Sequence, residues 1–144
     1  MPRDSFTFSH RLRVRWAEVD KQSIVFNGHY LTYFDVAVTE YWREIGLPYP
    51  DTSAGTGSEL YTVKSTIEYH LPAQYDDWLD IFIRCARIGR SSLAFLLEIW
   101  RGDEHLISGE LIYVNADPAT RKSAPVPEKL RDAVLRFERT APAE

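Results

Sequence analysis

The order of polar and apolar positions predicts one long and unusually apolar helix. Between Gly28 and Gly46 the apolar side chains recur every three or four residues, as they do on the buried face of an α-helix. The repeat consists of Tyr30, Phe34, Ala37, Tyr41 and Ile45, and it is widened by Leu31, Val38 and Trp42. Because few polar positions remain, we expect this helix to be buried on most sides. It should begin near Asn27 and end at Gly46.

Most of the remaining chain alternates between polar and apolar residues, which predicts β-strands. The first strand covers residues 6–16, with Trp16 on its apolar face and Arg11, Arg13 and Arg15 on a solvated face. Four further strands are predicted at residues 60–71, 78–87, 91–101 and 105–116, with turns between them. The economical arrangement is an α+β fold in which one antiparallel sheet curls around the single long helix.

Three details of these strands lead to further expectations. Strand 60–71 places Tyr61, Val63, Ile67 and Tyr69 on one face. Within strand 105–116, Gly109 indicates a bulge or a close approach of another part of the chain. The second face of strand 91–101 carries Ala94, Leu96 and Trp100 and is too apolar for simple exposure to water. Something should cover that face, which favours a homodimer or a homotetramer over a monomer.

The two connecting regions of the chain carry turn and breaker residues. Residues 46–58 are rich in proline, glycine and serine, so we expect an exposed loop with little structure of its own. A short C-terminal helix should start at Pro127, because proline is tolerated in the first turn of a helix. Beyond Arg139 we expect a frayed tail.

Composition narrows the possible functions. The chain has 144 residues, of which 44% are hydrophobic, and this suits one globular domain over residues 1–144. A net charge of -4 argues against nucleic acid as a partner. One cysteine allows no intrachain disulfide, and the first ten residues contain no apolar run that could serve as a signal or a membrane span. We therefore expect a cytoplasmic protein without a membrane partner.

The sequence gives little support for a metal site or for a catalytic serine or cysteine nucleophile. The four histidines are scattered along the chain and have no ligand-pair spacing, so we expect neither a metal nor another cofactor. A Gly-x-Ser-x-Gly motif is absent from the sequence. Cys85 falls on the apolar face of a strand, where a buried and inert thiol is the expected state.

Asp20 has a position that suits catalysis. It lies in the loop that leads into the long helix, and its carboxylate can therefore approach the unpaired backbone N–H groups of the first helical turn. An acid group and donors for an oxyanion would then meet at one place. The alternative is an ordinary loop or capping aspartate. Asp35, on the polar edge of the helix, is a weaker candidate.

Two stretches of the sequence resemble a known family. Residues 16–37, WAEVDKQSIVFNGHYLTYFDVA, look like the signature of the 4-hydroxybenzoyl-CoA thioesterase family of hotdog-fold acyl-CoA thioesterases. Residues 70–95, HLPAQYDDWLDIFIRCARIGRSSLAF, resemble the second recurrent stretch of the same family. The likeness extends from about Phe8 to Val114 with the elements in family order. It implies a hotdog fold that dimerises, with two active sites at the dimer interface.

The resemblance also implies roles for individual residues. The catalytic carboxylate falls at Asp20, and the backbone amide that polarises the thioester carbonyl falls at Asn27. The tyrosine near the start of the central helix, Tyr30, lies where the substrate binds. The positions that commonly meet the pantetheine and nucleotide of coenzyme A are Arg87, Arg90 and Ser91. The sequence departs from some members of the family in Lys21-Gln22-Ser23 and in His29.

The implied activity is hydrolysis of an acyl-CoA or aroyl-CoA thioester. One alternative within the same fold is a hydratase or dehydratase, which needs a histidine and a carboxylate near the acyl carbons, and His29 with Asp35 is the available pair. An alternative of another class is a protein that binds acyl-CoA without cleaving it. Asp20 favours the enzyme, because a pure binder has no use for a carboxylate directed at the thioester.

Overall fold

The computed structural model describes residues 3–144, which form one five-stranded sheet and two α-helices. The elements in chain order are β1 (Phe8–Arg13), α1 (His29–Glu44), β2 (Glu59–Tyr69), β3 (Trp78–Ile88), β4 (Ser92–Arg101), β5 (Glu104–Ala116) and α2 (Glu128–Phe137). The strands are antiparallel to their neighbours and follow the order β1-β3-β4-β5-β2. The predicted architecture, a long helix with an antiparallel sheet and a short C-terminal helix, is confirmed.

Aromatic contacts show that α1 lies against the sheet and reaches both of its edge strands. The Tyr41 ring meets Phe8 of β1 and Phe95 of β4 at centroid distances of 6.4 and 5.2 Å, and Tyr30 meets Tyr69 of β2 at 5.8 Å. Five strands spaced about 4.8 Å apart span roughly 19 Å between the edge strands. Tyr30 and Tyr41 lie about 16 Å apart along the helix axis, so α1 crosses the sheet from one edge to the other.

The ends of α1 are set by local chemistry. At the C-terminus Gly46 adopts a φ of 84°, and the Leu47 N–H donates to the Trp42 carbonyl at 2.9 Å. A residue in the left-handed conformation, followed by a hydrogen bond back to the last helical turn, commonly ends a helix, and glycine adopts that conformation at little cost.

Leu31 is 43% exposed, so the buried face of α1 is narrower than the sequence pattern predicted.

Gly109 marks a close approach between α1 and β5. A Cβ atom at this position would lie 2.4 Å from Cε2 of Phe34 and 2.8 Å from the Thr66 carbonyl oxygen. Only glycine therefore lets the Phe34 ring lie directly on the sheet, and the expectation of a close approach is confirmed. The β-bulges of the sheet lie elsewhere.

Two expectations about strand faces are wrong. β1 ends at Arg13, and Trp16 lies in a 3₁₀ turn (Trp16–Glu18), where it is 74% exposed. In β2 a bulge between Thr62 and Lys64 shifts the register. Such a bulge inserts one extra residue, so Tyr61 lies on the face opposite to Ile67.

The outer face of β4 is covered in part by the N-terminal segment. The Arg3 guanidinium stacks over the Trp100 ring at 4.2 Å, and Phe6 contacts Phe82 edge-on at 5.8 Å. Glu98, also on this face, is 7% exposed and accepts a hydrogen bond from Nε1 of Trp100 at 2.9 Å. The chain itself thus supplies some of the cover that the sequence pattern demanded.

The C-terminal tail is paired, which makes the expectation of fraying wrong. Ala143 forms a parallel bridge with Arg87, and its carbonyl oxygen accepts the Ile88 N–H at 2.9 Å. Oε2 of Glu138 accepts hydrogen bonds from the Tyr41 hydroxyl at 2.7 Å and from the Cys85 N–H at 2.9 Å. The tail therefore occupies the edge of β3 where β1 no longer covers it.

We expect Gly109→Ala to destabilise the protein by about 2–3 kcal/mol, because the added methyl group overlaps the Phe34 ring and the Thr66 carbonyl. Urea denaturation followed by circular dichroism measures the change. The exposed Thr32→Ala variant is the control and should stay within about 0.5 kcal/mol of the parent. Equal stabilities for Gly109→Ala and the parent would contradict the close packing described above.

We expect the only thiol of the chain to be inert in the folded protein. Burial, with a further contribution from the charge of Glu138, raises the pKa of Cys85 to about 12, so the reactive thiolate is scarce at pH 8. Reaction with an aromatic disulfide reagent should be slow in buffer and fast in guanidinium chloride. Glu44→Cys, which places a second thiol at an exposed position, is the positive control. Rapid labelling of the folded parent would show that Cys85 is accessible.

Candidate active site

Asp20 lies at the tip of a small hairpin that precedes α1. Val19 and Val25 form an antiparallel bridge, and the turn between them is closed by hydrogen bonds from the Asp20 N–H to the Ile24 carbonyl (3.0 Å) and from the Ser23 N–H to the Asp20 carbonyl (2.9 Å). Oδ1 of Asp20 accepts the Gln22 N–H at 2.8 Å. Oδ2 has no donor within hydrogen-bond distance among residues 3–144, which leaves this oxygen available for chemistry.

The N-terminus of α1 offers free backbone donors close in sequence to this hairpin. Gly28 is the N-cap residue and makes no side-chain cap. Within the described part of the chain, the N–H groups of Asn27 and Gly28 donate to no acceptor. Because the peptide dipoles of a helix give its N-terminus partial positive charge, these groups can stabilise an anion.

The Asp20 side chain and the start of α1 face the same cavity, which we call the Asp20 cavity. Its volume is about 290 Å³. The lining residues are Asp20, Gln22, Ile24, Val25, Asn27, Tyr30, Tyr69, His70, Leu71, Pro72 and Ile107. Three of the residues singled out from the sequence, Asp20, Asn27 and Tyr30, therefore lie together.

Tyr30 contributes its ring to the cavity and its hydroxyl to the scaffold. The ring is 3% exposed, and the hydroxyl oxygen accepts the Ala73 N–H at 3.1 Å. Burial raises the pKa of Tyr30 above its ordinary value, so the hydroxyl stays neutral. Ala73 also receives the Val25 N–H at its carbonyl oxygen, at 2.9 Å. Tyr30 thus helps to fix the segment around Ala73, to which the hairpin is bound through Val25.

Sequence reasoning missed the residues that the β2–β3 connection contributes. Tyr69, His70 and Pro72 line the Asp20 cavity, and Nε2 of His70 lies 2.9 Å from the Ser108 hydroxyl. These residues follow Asp20 by about fifty positions and carry no local signature. The only available signal was the likeness of residues 70–95 to the family's second recurrent stretch.

Arg87, Arg90 and Ser91 lie together at the β3–β4 hairpin, far from the Asp20 cavity of the same chain. Ile107 of the cavity pairs with Ile99, which is seven residues from Ser92 at the hairpin end of β4. At about 3.3 Å per residue this separates the two regions by roughly 23 Å. Both arginines are exposed. The Val126 N–H, which donates to the Arg90 carbonyl at 2.8 Å, helps to hold the hairpin in place.

A second cavity of about 300 Å³ lies at the hairpin end of the sheet. It is bounded by Asp35, Val38, Thr39 and Trp42 of α1, by Leu60 and Thr62 of β2, by Tyr113 and Asn115 of β5, and by part of the loop after α1. The Asn115 N–H donates to the Ser91 carbonyl at 2.7 Å, so the second cavity adjoins the arginine hairpin. The loop contains a 3₁₀ turn (Asp51–Ser53), where the sequence predicted little structure.

His29 and Asp35 do not form the pair that a hydratase would need. Asp35 lines the second cavity, whereas the His29 ring contacts Phe26 at 5.7 Å. Six residues along a helix place two side chains about 9 Å apart along the axis and on different faces. The structure therefore offers no histidine–carboxylate pair at this place.

The described residues include neither a group of metal ligands nor a helix that could span a membrane. Among residues 3–144, no three histidine, cysteine, aspartate or glutamate side chains lie close enough together to hold a metal ion. No helix in the same range is both long and apolar enough to cross a bilayer.

Comparison with known proteins identifies the family. The family model described as the thioesterase superfamily matches residues 22–108, which is more than half of the chain. The acyl-CoA thioester hydrolase YbgC of Escherichia coli is 26% identical over 124 residues, which cover 85% of this chain and 92% of that protein.

Solved structures share the fold. A 1,4-dihydroxy-2-naphthoyl-CoA thioesterase from Synechocystis has a TM-score of 0.82 at 19% identity and covers 88% of this chain and 94% of its own. A thioesterase from Thermus thermophilus, solved with coenzyme A and zinc, has a TM-score of 0.81 at 22% identity and covers 94% and 96% of the two chains. The architecture is thus the hotdog fold, and the chain belongs to the thioesterase superfamily, a family of thioester hydrolases.

Proposed function

We propose that the protein hydrolyses an acyl-CoA or aroyl-CoA thioester at the Asp20 cavity, giving the free acid and coenzyme A. The observation that carries the proposal is that Asp20, Asn27 just before α1, and Tyr30 in the first turn of α1 line one cavity. A thioester carbonyl placed between them would meet a base or nucleophile on one side and hydrogen-bond donors on the other. The relation to YbgC, named as an acyl-CoA thioester hydrolase, agrees with this substrate class.

Two routes suit this arrangement. In the first, an oxygen of Asp20 attacks the carbonyl carbon, the C–S bond breaks, coenzyme A leaves as a thiolate, and water hydrolyses the resulting mixed anhydride. In the second, Asp20 accepts a proton from water as the water attacks, and the thiolate again leaves. Both routes need an ionised Asp20, and both develop negative charge on the carbonyl oxygen. The Asn27 N–H would stabilise that charge.

A dimer formed through β2 would complete the site. β2 is an edge strand of eleven residues, nine of which are exposed, and a long exposed edge tends to pair with another copy. Antiparallel pairing of two β2 strands would set the Tyr69 end of one beside the Glu59 end of the other. Tyr69 lines the Asp20 cavity and Glu59 lines the second cavity, so the two cavities would adjoin across the interface.

This pairing would also bring the β3–β4 hairpin of one subunit towards the Asp20 cavity of the other. Within one chain Arg87 and Arg90 are remote from Asp20, but they adjoin the second cavity through Asn115 and Ser91. Because the second cavity of the partner would adjoin the Asp20 cavity across the interface, the partner's Arg87 and Arg90 would lie near that cavity. Guanidinium groups suit the phosphate oxygens of coenzyme A, and the reacting acyl group would reach Asp20.

The cytoplasmic location remains a prediction from the sequence.

We expect Asp20→Asn to lower kcat about a hundredfold or more on any acyl-CoA that the parent cleaves, because a positioned base or nucleophile is lost. Thiol release from a panel of aliphatic and aromatic acyl-CoAs measures the rate and also reveals the preferred acyl group. Asp117→Asn is a matched control, since both aspartates accept a backbone N–H two residues ahead at 2.8 Å.

Near-parental thiol release by folded Asp20→Asn protein would refute the role of Asp20 and direct attention to His29 and Asp35. A parent that releases no thiol from any member of the panel would instead favour a non-catalytic acyl-CoA-binding protein. Turnover of an enoyl-CoA without thiol release would indicate a hydratase.

We expect the Arg87→Ala/Arg90→Ala variant to raise KM more than it lowers kcat, because these groups would bind a part of the substrate that does not react. At a substrate concentration well below the KM of this variant, mixing it with Asp20→Asn should restore activity if the site is shared, since each mixed dimer then has one site with an intact Asp20 and intact arginines. Random exchange should restore about a quarter of the parental sites in a closed two-fold dimer.

Light scattering establishes the oligomeric state before and after mixing. Arg121→Ala/Lys122→Ala, which removes the same charge elsewhere on the surface, is the control and should leave KM unchanged. A monomer of 16.7 kDa at micromolar concentration, or a mixture no more active than the sum of its parts, would exclude the shared site.

A further inference from the structure

A buried carboxylate lies two residues before Asp20. Glu18 is 8% exposed and ends the 3₁₀ turn (Trp16–Glu18) that leads into the Asp20 hairpin. Its Oε1 accepts hydrogen bonds from the Tyr33 hydroxyl of α1 at 2.9 Å and from the Arg15 N–H at 2.7 Å. Its Oε2 accepts from the Arg15 guanidinium at 2.9 Å. Glu18 thus joins the turn before the hairpin to the second turn of α1.

Glu18 holds these donors as an anion. Burial alone would raise its pKa, but the hydrogen bonds from the Arg15 backbone, the Arg15 side chain and Tyr33 together lower the pKa below the ordinary glutamate value. A lowered pKa in the folded state means that the contribution of Glu18 to stability is present above the ordinary pKa and is lost only as the pH falls through the lowered one. The tie is therefore intact at neutral pH.

The same hairpin is fixed at its other strand. The Phe26 N–H donates to the backbone carbonyl of Glu18 at 3.0 Å, and the Val25 N–H donates to the Ala73 carbonyl at 2.9 Å. Ala73 is bound in turn by the Tyr30 hydroxyl, and the Tyr30 ring packs on Tyr33 at 5.9 Å. Glu18 and Val25 are therefore connected through Tyr33 and Tyr30 of α1 and through Ala73.

We infer that Glu18 is a positioning residue, which through Tyr33 and Phe26 holds the Asp20 hairpin at a fixed distance from the N-terminus of α1. This inference rests on the proposed function, because it concerns the spacing between the Asp20 carboxylate and the Asn27 N–H. Glu18 does not line the Asp20 cavity, so it acts through the hairpin and does not touch substrate. A misplacement of about 1 Å at reacting groups can cost up to a hundredfold in rate.

Most side chains of the hairpin contribute little packing, so its position depends on polar contacts: this tie, the backbone bonds given above, and a bridge between Ile24 and Gln74. Of the side chains from Asp20 to Asn27, only Val25 is buried. The Arg15 side chain is 78% exposed, so its ion pair with Glu18 is screened by water and adds little by itself. The buried bond from Tyr33 links Glu18, at the end of the turn that leads into the hairpin, to the helix.

Kinetics of Glu18→Gln and Tyr33→Phe test the inference. Glutamine keeps the size of the side chain but removes the negative charge that strengthens the bond from Tyr33, and phenylalanine removes only the donor of that bond. We expect each change to lower kcat about tenfold with KM for acyl-CoA within about twofold of the parent, because the geometry of the reacting groups loosens while the substrate-binding surface is kept. Glu44→Gln, an exposed glutamate on α1, is the matched control and should retain the parental kcat.

Two further measurements separate positioning from a merely structural role. The double variant should lose no more activity than the worse single variant, since both changes break one contact. Hydrogen exchange should accelerate in a peptide spanning residues 18–29 but not in β4. Tyr33→Phe, which leaves Glu18 charged, decides the question if Glu18→Gln does not fold.

An active parent together with folded variants of unchanged kcat would overturn the inference and leave the proposed function standing. Losses of activity that follow only the unfolded fraction would overturn it equally. A parent without thioesterase activity would refute the proposed function itself, independently of any variant.

Discussion

The burial of α1 against the curved sheet is the constraint on which the rest of the structure depends. Tyr30 and Tyr41 reach strands at both edges, and Phe34 lies so close to β5 that only glycine fits at position 109. Each fully buried aromatic or aliphatic side chain contributes about 1.5–3 kcal/mol, so sliding the helix would be costly. The core thereby fixes where the N-terminus of α1 lies relative to the sheet.

The sequence predicted the elements of this fold well because their periods are local properties. The helix from near Asn27 to Gly46 and the five strands follow directly from spacings of three to four and of two residues. The bulge at Val63 had no such signal, because an extra residue in β2 can be recognised only against its partner β5. The paired tail was missed for a similar reason, since Ala143 is ordered by the exposed edge of β3 and not by its own neighbours.

The candidate site likewise contains residues with a local sequence signal and residues that only the tertiary structure brings together. Asp20, Asn27 and Tyr30 lie within eleven residues of one another, so their convergence on one cavity could be inferred from a loop that enters a helix. Tyr69 and His70 reach the cavity through the strand order of the sheet, which no short motif states. Sequence spacing could not relate Arg87 and Arg90 to Asp20, because within one chain about 23 Å of sheet separates the β3–β4 hairpin from the Asp20 cavity.

The fold separates the groups that provide stability from those that set the geometry of the site. The core is apolar and continuous, whereas the hairpin carrying Asp20 contributes only Val25 to it among residues 20–27. Apolar packing is non-directional and tolerates small shifts, but a hydrogen bond to a charged group weakens when distance or angle changes. Polar ties such as those of Glu18, Tyr33 and Ala73 can therefore hold a short, mostly exposed hairpin in one position that packing alone would leave loose. A carboxylate meant to act on a substrate must stay partly accessible, so its position has to be fixed by neighbours that are themselves buried.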